Sequence, residues 1–312
     1  MNIALLIQTA DRRKGGAEGY TLDLARSLTA RGHQVTVLAE SGPEAVAEGA
    51  RAAGFTCMFL GSQGGWRWAR LRSFLGRLKE ACERHTYDIV HAMLPCWRCD
   101  VYQPHSGLAT ELVLRGHLKH PRPLVRRWAR RFNRMNPKRR GLMKIERTLM
   151  EHQPWLLCLS AKMAEFAREQ FSLPEDRLVS MMNGIDLAHF DPAVGKGSRT
   201  ALREEWQIDE GQYLALFVGN NWRLKGAQET LEGLAFLAAE DRRRLVLMLV
   251  GPEDPAAYRK KAERLGVAGQ LRFAGRVRDL RGLYGAATCC CCPRGGTRAA
   301  WWCWRRWRWA CR

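Results

Sequence analysis

The sequence predicts an α/β protein built from two Rossmann-like domains. Near the N-terminus, an apolar strand pattern leads through a glycine pair into a helical pattern, all within residues 2–31. A second unit of the same kind begins at Tyr213, and the segment 191–200 between the two units is rich in proline and glycine. A chain of 312 residues is long enough for two such domains.

In the first half, short apolar runs alternate with segments in which apolar residues recur at helical spacing. The predicted elements are a strand at 2–8, a helix at 17–31, strands at 35–38 and 55–60, a helix at 68–84 and a strand at 87–92. This alternation is typical of a parallel sheet, and ligands of such sheets bind beyond the carboxyl ends of the strands.

The pair Gly15 and Gly16 lies at such an end, directly before a predicted helix. Free backbone N–H groups and the helix dipole at this position favour a phosphate group. A tight turn that requires a positive φ is the competing interpretation of the pair. It is neither a dinucleotide-binding fingerprint nor a Walker lysine motif.

The second half repeats the same alternation of strands and helices. Its predicted elements are a strand at 213–219, a helix at 227–239, a strand at 245–251, a helix at 258–265 and a strand at 271–275. We therefore expect an N-terminal domain over residues 1–190, a linker over 191–200 and a C-terminal domain over 201–287.

Composition excludes several classes of protein. An apolar content of 46% is that of a globular protein rather than a disordered one. No run of about 18 apolar residues exists, so no membrane-spanning helix is expected. Residues 1–7 lack the basic start and the cleavage site of a signal peptide, so the expected location is the cytoplasm.

A basic block covers residues 115–147 and contains one acidic residue, Glu146, within a chain of net charge +20. Val125, Trp128, Phe132 and Met135 recur there at helical spacing between arginines. Such a segment favours an anionic membrane surface or an anionic acceptor. Nucleic acid is the rival partner, and a solvated helix that packs its apolar stripe on the domain is the third interpretation.

Several short motifs occur in a characteristic order along the chain. They are Gly15-Gly16, Asn183-Gly184-Ile185-Asp186, Gly219 at a strand end, Arg223-Leu224-Lys225-Gly226 at a helix start, Val250-Gly251-Pro252 and Gly275-Arg276-Val277. Over residues 1–287 this ordered set resembles family 4 of the retaining glycosyltransferases, which have the two-domain GT-B fold. Residues 100–102, the basic block and residues 145–147 resemble, more narrowly, the lipopolysaccharide core glucosyltransferase I group.

The resemblance implies a nucleotide-sugar donor, UDP-linked, whose diphosphate is the leaving group. It assigns Lys225 and Arg223 to this group, where cations stabilise the developing charge. Many relatives carry arginine directly before the lysine, whereas this chain has Leu224 there and Arg223 one place earlier. Donor-binding positions carried over from the family are Gly15, Gly16, Gly219, Asn220, Gly275 and Arg276, the last two next to the uracil base.

On the acceptor side the resemblance points to Asp100 and His105, which follow a predicted strand. Asp100 is expected to touch the transferred sugar or the acceptor, with a polar loop residue as the alternative. His91, at another strand end, is expected to be a structural histidine rather than a base. The resemblance implies transfer with retention to a glycolipid at the inner face of the cytoplasmic membrane. Neither a cofactor nor a metal is expected, since the nucleotide-sugar is a substrate.

Residues 288–312 have a different composition from the rest of the chain. They hold six of the 11 Cys and five of the 12 Trp, with six Arg and no acid. Adjacent cysteines such as Cys289 to Cys292 cannot adopt the spacing of a zinc site, and cytoplasmic conditions disfavour disulfides. The family instead has a strand here, followed by an acidic residue and, eight positions later, a glutamate.

We predict that translation leaves its frame near codon 287. Read from the third base of each codon, a run of TGC cysteine codons becomes leucine, and the frame permits an acid eight positions before a glutamate. Nucleotide sequence through codons 280–312 tests this, and a third-base frame without that acid and glutamate would contradict it.

If the frame does change near codon 287, the second domain is incomplete and has an exposed sheet edge. We therefore expect the 312-residue chain to be poorly stable and nearly inactive. Measurable sugar transfer by the purified chain would contradict this second expectation.

The leading hypothesis is thus a glycosyltransferase at the cytoplasmic membrane face. A non-catalytic basic protein that binds membranes or nucleic acid is the alternative from another class. A transferase of the same fold with a soluble acceptor, as in sucrose or trehalose pathways, is the third. Affinity for UDP that falls on replacement of Lys225 separates the first hypothesis from the second.

Overall fold

The computed structural model describes residues 1–116, 123–184, 197–277 and 279–291. The chain separates into two compact units, Met1–Gly184 (unit 1) and Ile185–Arg312 (unit 2). In both units the described residues form a parallel sheet with helices, as the sequence predicts.

Unit 1 contains a seven-stranded sheet in the order β3-β2-β1-β4-β5-β6-β7, with all neighbouring strands parallel. Its strands are β1 (Asn2–Thr9), β2 (Gln34–Ser41), β3 (Thr56–Phe59), β4 (Ile89–Ala92), β5 (Val101–Tyr102), β6 (Trp155–Cys158) and β7 (Leu178–Ser180). Its helices are α1 (Gly16–Ala30), α2 (Glu44–Ala52), α3 (Arg67–Arg84), α4 (Ala109–Leu114), α5 (Pro123–Met135), α6 (Pro137–Glu151) and α7 (Ala161–Gln170).

Alternate residues of β1 enter different cores, because successive side chains of a strand point to opposite faces. Leu5 packs in a core with α1 and α2, whereas Leu6 packs in a core with α3, α6 and α7. Both faces of the central strands are therefore apolar, which explains the nearly continuous apolar run at the start of the sequence.

Unit 2 contains a four-stranded parallel sheet in the order β10-β9-β8-β11. Its strands are β8 (Tyr213–Val218), β9 (Leu245–Val250), β10 (Leu271–Gly275) and β11 (Cys289–Cys290). Its helices are α8 (Arg199–Glu205), α9 (Trp222–Lys225), α10 (Ala227–Ala235), α11 (Ala239–Arg243), α12 (Ala256–Arg264) and α13 (Arg281–Ala286).

Three features of the structure bear on the predicted organisation. The division after Gly184 lies before the predicted domain end at residue 190. The predicted linker 191–200 is described from residue 197, and Arg199 already begins α8. In the described part of the basic block, α5 and α6 are separate helices, because Pro137 starts α6 after the Asn136 cap, whose side chain accepts from the Arg139 N–H.

The start of the cysteine run is part of the unit 2 sheet. Cys289 and Cys290 pair in parallel with Ala215 and Leu216 of β8, and the Cys291 N–H donates to the Leu216 carbonyl at 2.8 Å. Cysteine behaves as a small apolar residue when buried, so this composition can continue a sheet. The remaining tail, residues 292–312, lies outside the described residues.

None of the helices described in the structure is long and apolar enough to span a bilayer.

Candidate functional site

In unit 2, three of the predicted motifs meet at the carboxyl edge of the sheet. Gly219 follows β8, Gly251 follows β9 and Gly275 ends β10. The Gly219 N–H donates to the Val250 carbonyl at 3.0 Å, and the Gly251 N–H donates to the Gly275 carbonyl at 2.8 Å. Motifs separated in sequence thus form one continuous edge, where ligands of parallel sheets bind.

Glycine is required at Gly251 and favoured at Gly275. Gly251 has φ 155°, and a Cβ there would overlap the Gly219 carbonyl oxygen and lie 2.6 Å from Trp222 Nε1. Gly275 has φ 63°, in the left-handed region that favours glycine. The constraint at Gly251 thus comes from packing against Gly219 and Trp222, whereas a Cβ on Gly275 would meet nothing within 4 Å.

The cationic motif follows β8 on the short helix α9. The Asn221 side chain caps it by accepting from the Leu224 N–H at 2.8 Å, and Gly226 ends it with φ 87°. Buried Trp222 anchors the helix, and its indole N–H donates to the Val250 carbonyl at 3.3 Å. These contacts set the direction in which the lysine side chain leaves the helix.

Lys225 lies directly over Gly219. A Cβ on Gly219 would be 3.1 Å from Lys225 Cγ, so the missing side chain makes room for the lysine stem. Lys225 forms no ion pair with the residues that the structure describes. Arg223 is exposed on the same turn, while Asn220 and Arg276 are exposed at the ends of β8 and β10.

Glu253 is a positioning residue that the sequence did not single out. Its carboxylate accepts from the backbone N–H of Trp222 at 2.8 Å and from the Tyr258 hydroxyl at 3.2 Å. It thereby joins the loop after β9 to the start of α9. Its only sequence signal is its place two residues after the strand-end Gly251.

In unit 1, Gly15 and Gly16 stand between the loop after β1 and the start of α1, as predicted. A Cβ on Gly15 would lie 2.7 Å from Glu18 Oε2, whereas one on Gly16 would meet nothing within 4 Å. The Gly15 backbone is extended, with φ 176°, so no positive φ requires glycine there, and the nearest atom to a Cβ is the end of the flexible Glu18 side chain. The turn interpretation of this pair is therefore not supported at Gly15.

A polar cluster lies at the carboxyl ends of β4 and β5, where Gln103, His105 and His91 meet Tyr20 of α1 and Asn183. Gln103 Nε2 is 3.2 Å from Asn183 Oδ1 and 3.4 Å from the Tyr20 hydroxyl, and Asn183 Nδ2 is 3.3 Å from His105 Nδ1. His91 is buried, and burial lowers its pKa to about 4. This fits the expectation of a neutral, structural histidine.

Asp100 is not part of this cluster, contrary to the prediction. It precedes β5, and its carboxylate accepts from the Val90 N–H at 2.8 Å. Its own N–H donates to the Val90 carbonyl at 2.9 Å, and its carbonyl accepts from the Trp155 N–H. Asp100 therefore ties the amino ends of β4, β5 and β6, opposite the edge where His105 lies.

Glu146 is the most deeply embedded carboxylate of unit 1. It is fully buried on α6 and accepts from the Tyr102 hydroxyl at 2.7 Å and from the N–H groups of Ala109 and Thr110 at 2.8 and 2.6 Å. Burial raises its pKa above the usual value, although each of these hydrogen bonds acts in the opposite direction. The residue connects α6, β5 and the start of α4.

Comparison with protein families gives two matches that together cover most of the chain. Residues 14–189 match Glycosyltransferase Family 4, and residues 198–295 match Glycosyl transferases group 1. The first of these matches alone includes more than half of the chain.

Curated relatives align over shorter segments. Lipopolysaccharide glucosyltransferase WaaG of Escherichia coli is 33% identical over 96 residues, which are 31% of this chain and 26% of that protein. D-inositol 3-phosphate glycosyltransferase of Thermomonospora curvata is 32% identical over 129 residues, 37% of this chain and 30% of that protein. The aligned part thus spans less than a third of either relative.

Solved structures share the fold at low sequence identity. The crystal structure of WaaG, a glycosyltransferase involved in lipopolysaccharide biosynthesis, has a TM-score of 0.76 at 22% identity, covering 94% of this chain and 75% of that one. Anabaena Alr3699/HepE in complex with UDP and glucose has a TM-score of 0.60 at 15% identity, covering 93% and 73%. These likenesses confirm the two-domain α/β fold of the GT-B type.

Proposed function

The chain belongs to glycosyltransferase family 4, and on this premise we propose that its sites are built for the transfer of a hexosyl group, such as glucose, from a UDP-sugar to a lipopolysaccharide-core type glycolipid, with retention. The proposal is supported by the similarity to a lipopolysaccharide glucosyltransferase and by a structural neighbour in complex with UDP and glucose. The nucleotide-sugar is a substrate, so the proposal includes no cofactor.

The observation that carries this proposal is the position of Lys225 over Gly219. A lysine whose stem is held at the carboxyl edge of a parallel sheet suits the diphosphate of the donor. Negative charge grows on that diphosphate as the glycosidic bond breaks, and a preorganised cation lowers the energy of this state. Exposed Arg223, on the same turn, is proposed as a second cation.

Lys225→Ala is expected to weaken the binding of UDP to the chain. A charge-assisted hydrogen bond contributes about 1.5–3 kcal/mol, which corresponds to a loss of roughly 10- to 100-fold in affinity. Titration calorimetry with UDP measures the change. Lys260→Ala removes an exposed lysine from α12 of the same unit and serves as the matched control. Equal UDP affinity of the Lys225 variant and the wild type would argue against the proposed donor site.

On the acceptor side, the proposal includes contact with a membrane surface. In α5 the apolar stripe faces solvent, with Leu124, Trp128 and Phe132 exposed by 75%, 61% and 65%, while Asn133 is the buried residue of the helix. The interpretation in which this stripe packs on the domain is therefore wrong. Exposed aromatic residues between arginines are typical of helices that lie in the interface of an anionic bilayer.

We therefore propose that α5 holds the enzyme at the inner face of the cytoplasmic membrane, where a glycolipid acceptor is available. The arginines would contact anionic headgroups, and the aromatic residues would enter the boundary below them. Trp128 and Phe132 support each other in this arrangement, since their ring centroids are 6.1 Å apart. Nucleic acid is disfavoured because an apolar stripe adds nothing to phosphate contacts.

A further inference from the structure

One face of the unit 1 sheet is only partly covered by the described helices. Along β6, Leu156 and Cys158 are fully buried in the core with α3, α6 and α7, whereas Trp155 and Leu157 point to the opposite face. The core on that face combines residues of α1, α2 and the strands β1 to β4, and among the described residues it includes none from β5 or β6. Because parallel sheets are normally covered on both faces, the strands beside α1 leave room for a ligand.

The uncovered part of this face is a pocket of about 370 Å³ that is lined by residues of unit 1 alone. Leu24 and Leu28 line it from α1, Ile89 from β4 and Trp155 from β6. Sites for small molecules have volumes of about 300–1,000 Å³ and are mostly apolar, so both the size and the lining suit a ligand. Trp155 is 40% exposed and Met181, which also lines the pocket, is 38% exposed, so the pocket is open to solvent on their side.

Contacts with neighbouring residues hold two aromatic walls of this pocket in place. The Arg177 guanidinium lies 4.9 Å from the centre of the Trp155 ring. The Tyr20 ring, which also lines the pocket, has its hydroxyl 3.4 Å from the Gln103 amide nitrogen. These walls are thus formed before a ligand arrives, which lowers the entropic cost of binding.

His91 adds a hydrogen-bonding group to this mostly apolar lining. Strand pairing sets it between Leu5 and Val101, and directly paired residues share a face of the sheet. The imidazole is 8% exposed, and its Nε2 has no hydrogen-bond partner among the described residues. Gln103 lies near the ring, but its Oε1 also lacks a partner at hydrogen-bonding geometry. A buried polar atom without a partner is unfavourable, so it indicates a missing ligand or water.

The His91 imidazole is neutral at physiological pH. Burial lowers its pKa to about 4, although Gln103 acts in the opposite direction. Each nitrogen of a neutral imidazole is either a donor or an acceptor, depending on the tautomer. A hydroxyl group suits both cases, because it donates as well as accepts. A carboxylate only accepts, and its charge would be buried next to a neutral ring, which is unfavourable.

We propose that this pocket binds a straight alkyl chain that ends in a neutral, hydroxyl-bearing group, which forms a hydrogen bond with His91 Nε2. The apolar lining takes the chain, the open side beside Trp155 and Met181 admits it, and the unpartnered nitrogen selects the neutral polar end. Free long-chain alcohols and monoacylglycerols both present this chemistry. The pocket is separate from the proposed donor site of unit 2.

Saturation-transfer NMR with the full chain measures the binding of 1-octanol, and spectra of the chain labelled with ¹⁵N-histidine locate it. We expect saturable binding and a shift of the His91 Nε2 signal, which is identified by its loss in H91L. Octanoate should bind more weakly at pH 7. H91L should weaken the binding of octanol roughly 2- to 10-fold, because one neutral hydrogen bond is lost. The matched control H85L, at an exposed histidine of the same unit, should leave it unchanged.

L24W fills the pocket from α1 and should weaken octanol binding by roughly tenfold or more, because the displaced methylene groups lose their apolar surroundings. The matched control A30W places the same ring at an exposed position of α1 that does not line the pocket. Monooctanoylglycerol identifies the source of the ligand. Binding tighter than that of octanol supports a lipid, and weaker binding supports a free alcohol.

A wild-type chain without saturable octanol binding overturns the proposal, whether or not the variants fold. Unchanged affinity in an L24W protein with a native circular-dichroism spectrum overturns the location, and unchanged affinity in H91L overturns the hydrogen bond. Tighter binding of octanoate than of octanol overturns the neutral end group. A wild-type dimer in sedimentation that dissociates in L24W overturns the proposal as well, because a second copy then covers the pocket. No UDP-sugar takes part, so these results are separate from failure of the proposed function.

Discussion

Glu146→Ala is expected to lower the free energy of unfolding of unit 1 by at least about 3 kcal/mol. The buried carboxylate accepts three hydrogen bonds, from the Tyr102 hydroxyl and from the N–H groups of Ala109 and Thr110. Alanine would leave all three donors buried without an acceptor, and each such donor costs about 1–3 kcal/mol. The loss should affect β5, α4 and α6 together.

Glu146→Gln keeps the shape of the side chain but changes its hydrogen bonding. The amide keeps one oxygen for Tyr102 and Ala109 but turns an NH₂ group toward the Thr110 N–H, so a smaller loss of about 1–3 kcal/mol is expected. Urea unfolding measures both losses, and hydrogen exchange of residues 101–114 shows whether they arise at β5 and α4.

The matched control is Glu151→Gln, at the exposed end of the same helix. It should change the unfolding free energy by no more than about 0.5 kcal/mol, as is usual for surface positions. A Glu146→Gln protein as stable as the wild type would mean that the buried carboxyl group is already neutral in the folded chain. The hydrogen bonds donated by Tyr102, Ala109 and Thr110 would then not require an ionised carboxylate at position 146.

Local patterns explain why much of the fold could be predicted. The residues of β1 are buried on both faces of the sheet, so they are apolar almost without interruption. Such a strand can be recognised from its own short stretch of sequence. The arrangement of Lys225 over Gly219 also follows from local order, since a strand end, a short loop and a helix start bring these residues together within seven positions.

Long-range contacts explain what could not be predicted. Asp100 stands before a strand of two residues, too short to show in the sequence pattern, so its side of the sheet was assigned wrongly. Glu146 and Tyr102 are 44 residues apart, and Gln103 and Asn183 are 80 apart. The motif that contains Asn183 was recognised, but no spacing along the chain indicates that its amide faces His105.

The double variant W128S/F132S is expected to weaken binding of the chain to anionic vesicles by roughly 100-fold. Both rings are exposed on α5, and moving them only partly out of water contributes about 3 kcal/mol in total, or about two powers of ten in affinity. Sedimentation with vesicles of phosphatidylethanolamine and phosphatidylglycerol measures the change. Phosphatidylcholine vesicles should bind the wild type much more weakly, because they lack the charge that attracts the arginines.

A control variant, W66S/F236S, removes the same two residue types from exposed positions outside the basic helix, Trp66 at 57% and Phe236 at 90% exposure. It should bind vesicles as the wild type does, since neither residue belongs to the exposed apolar stripe of α5. R127Q/R131Q should lose roughly 30-fold, as each cation near an anionic surface contributes about 1 kcal/mol. If W128S/F132S kept full affinity while the arginine variant lost it, α5 would act through charge alone. If duplex DNA, added at a phosphate concentration equal to that of the anionic lipid, then displaced the protein from vesicles, nucleic acid would be the better partner for this helix.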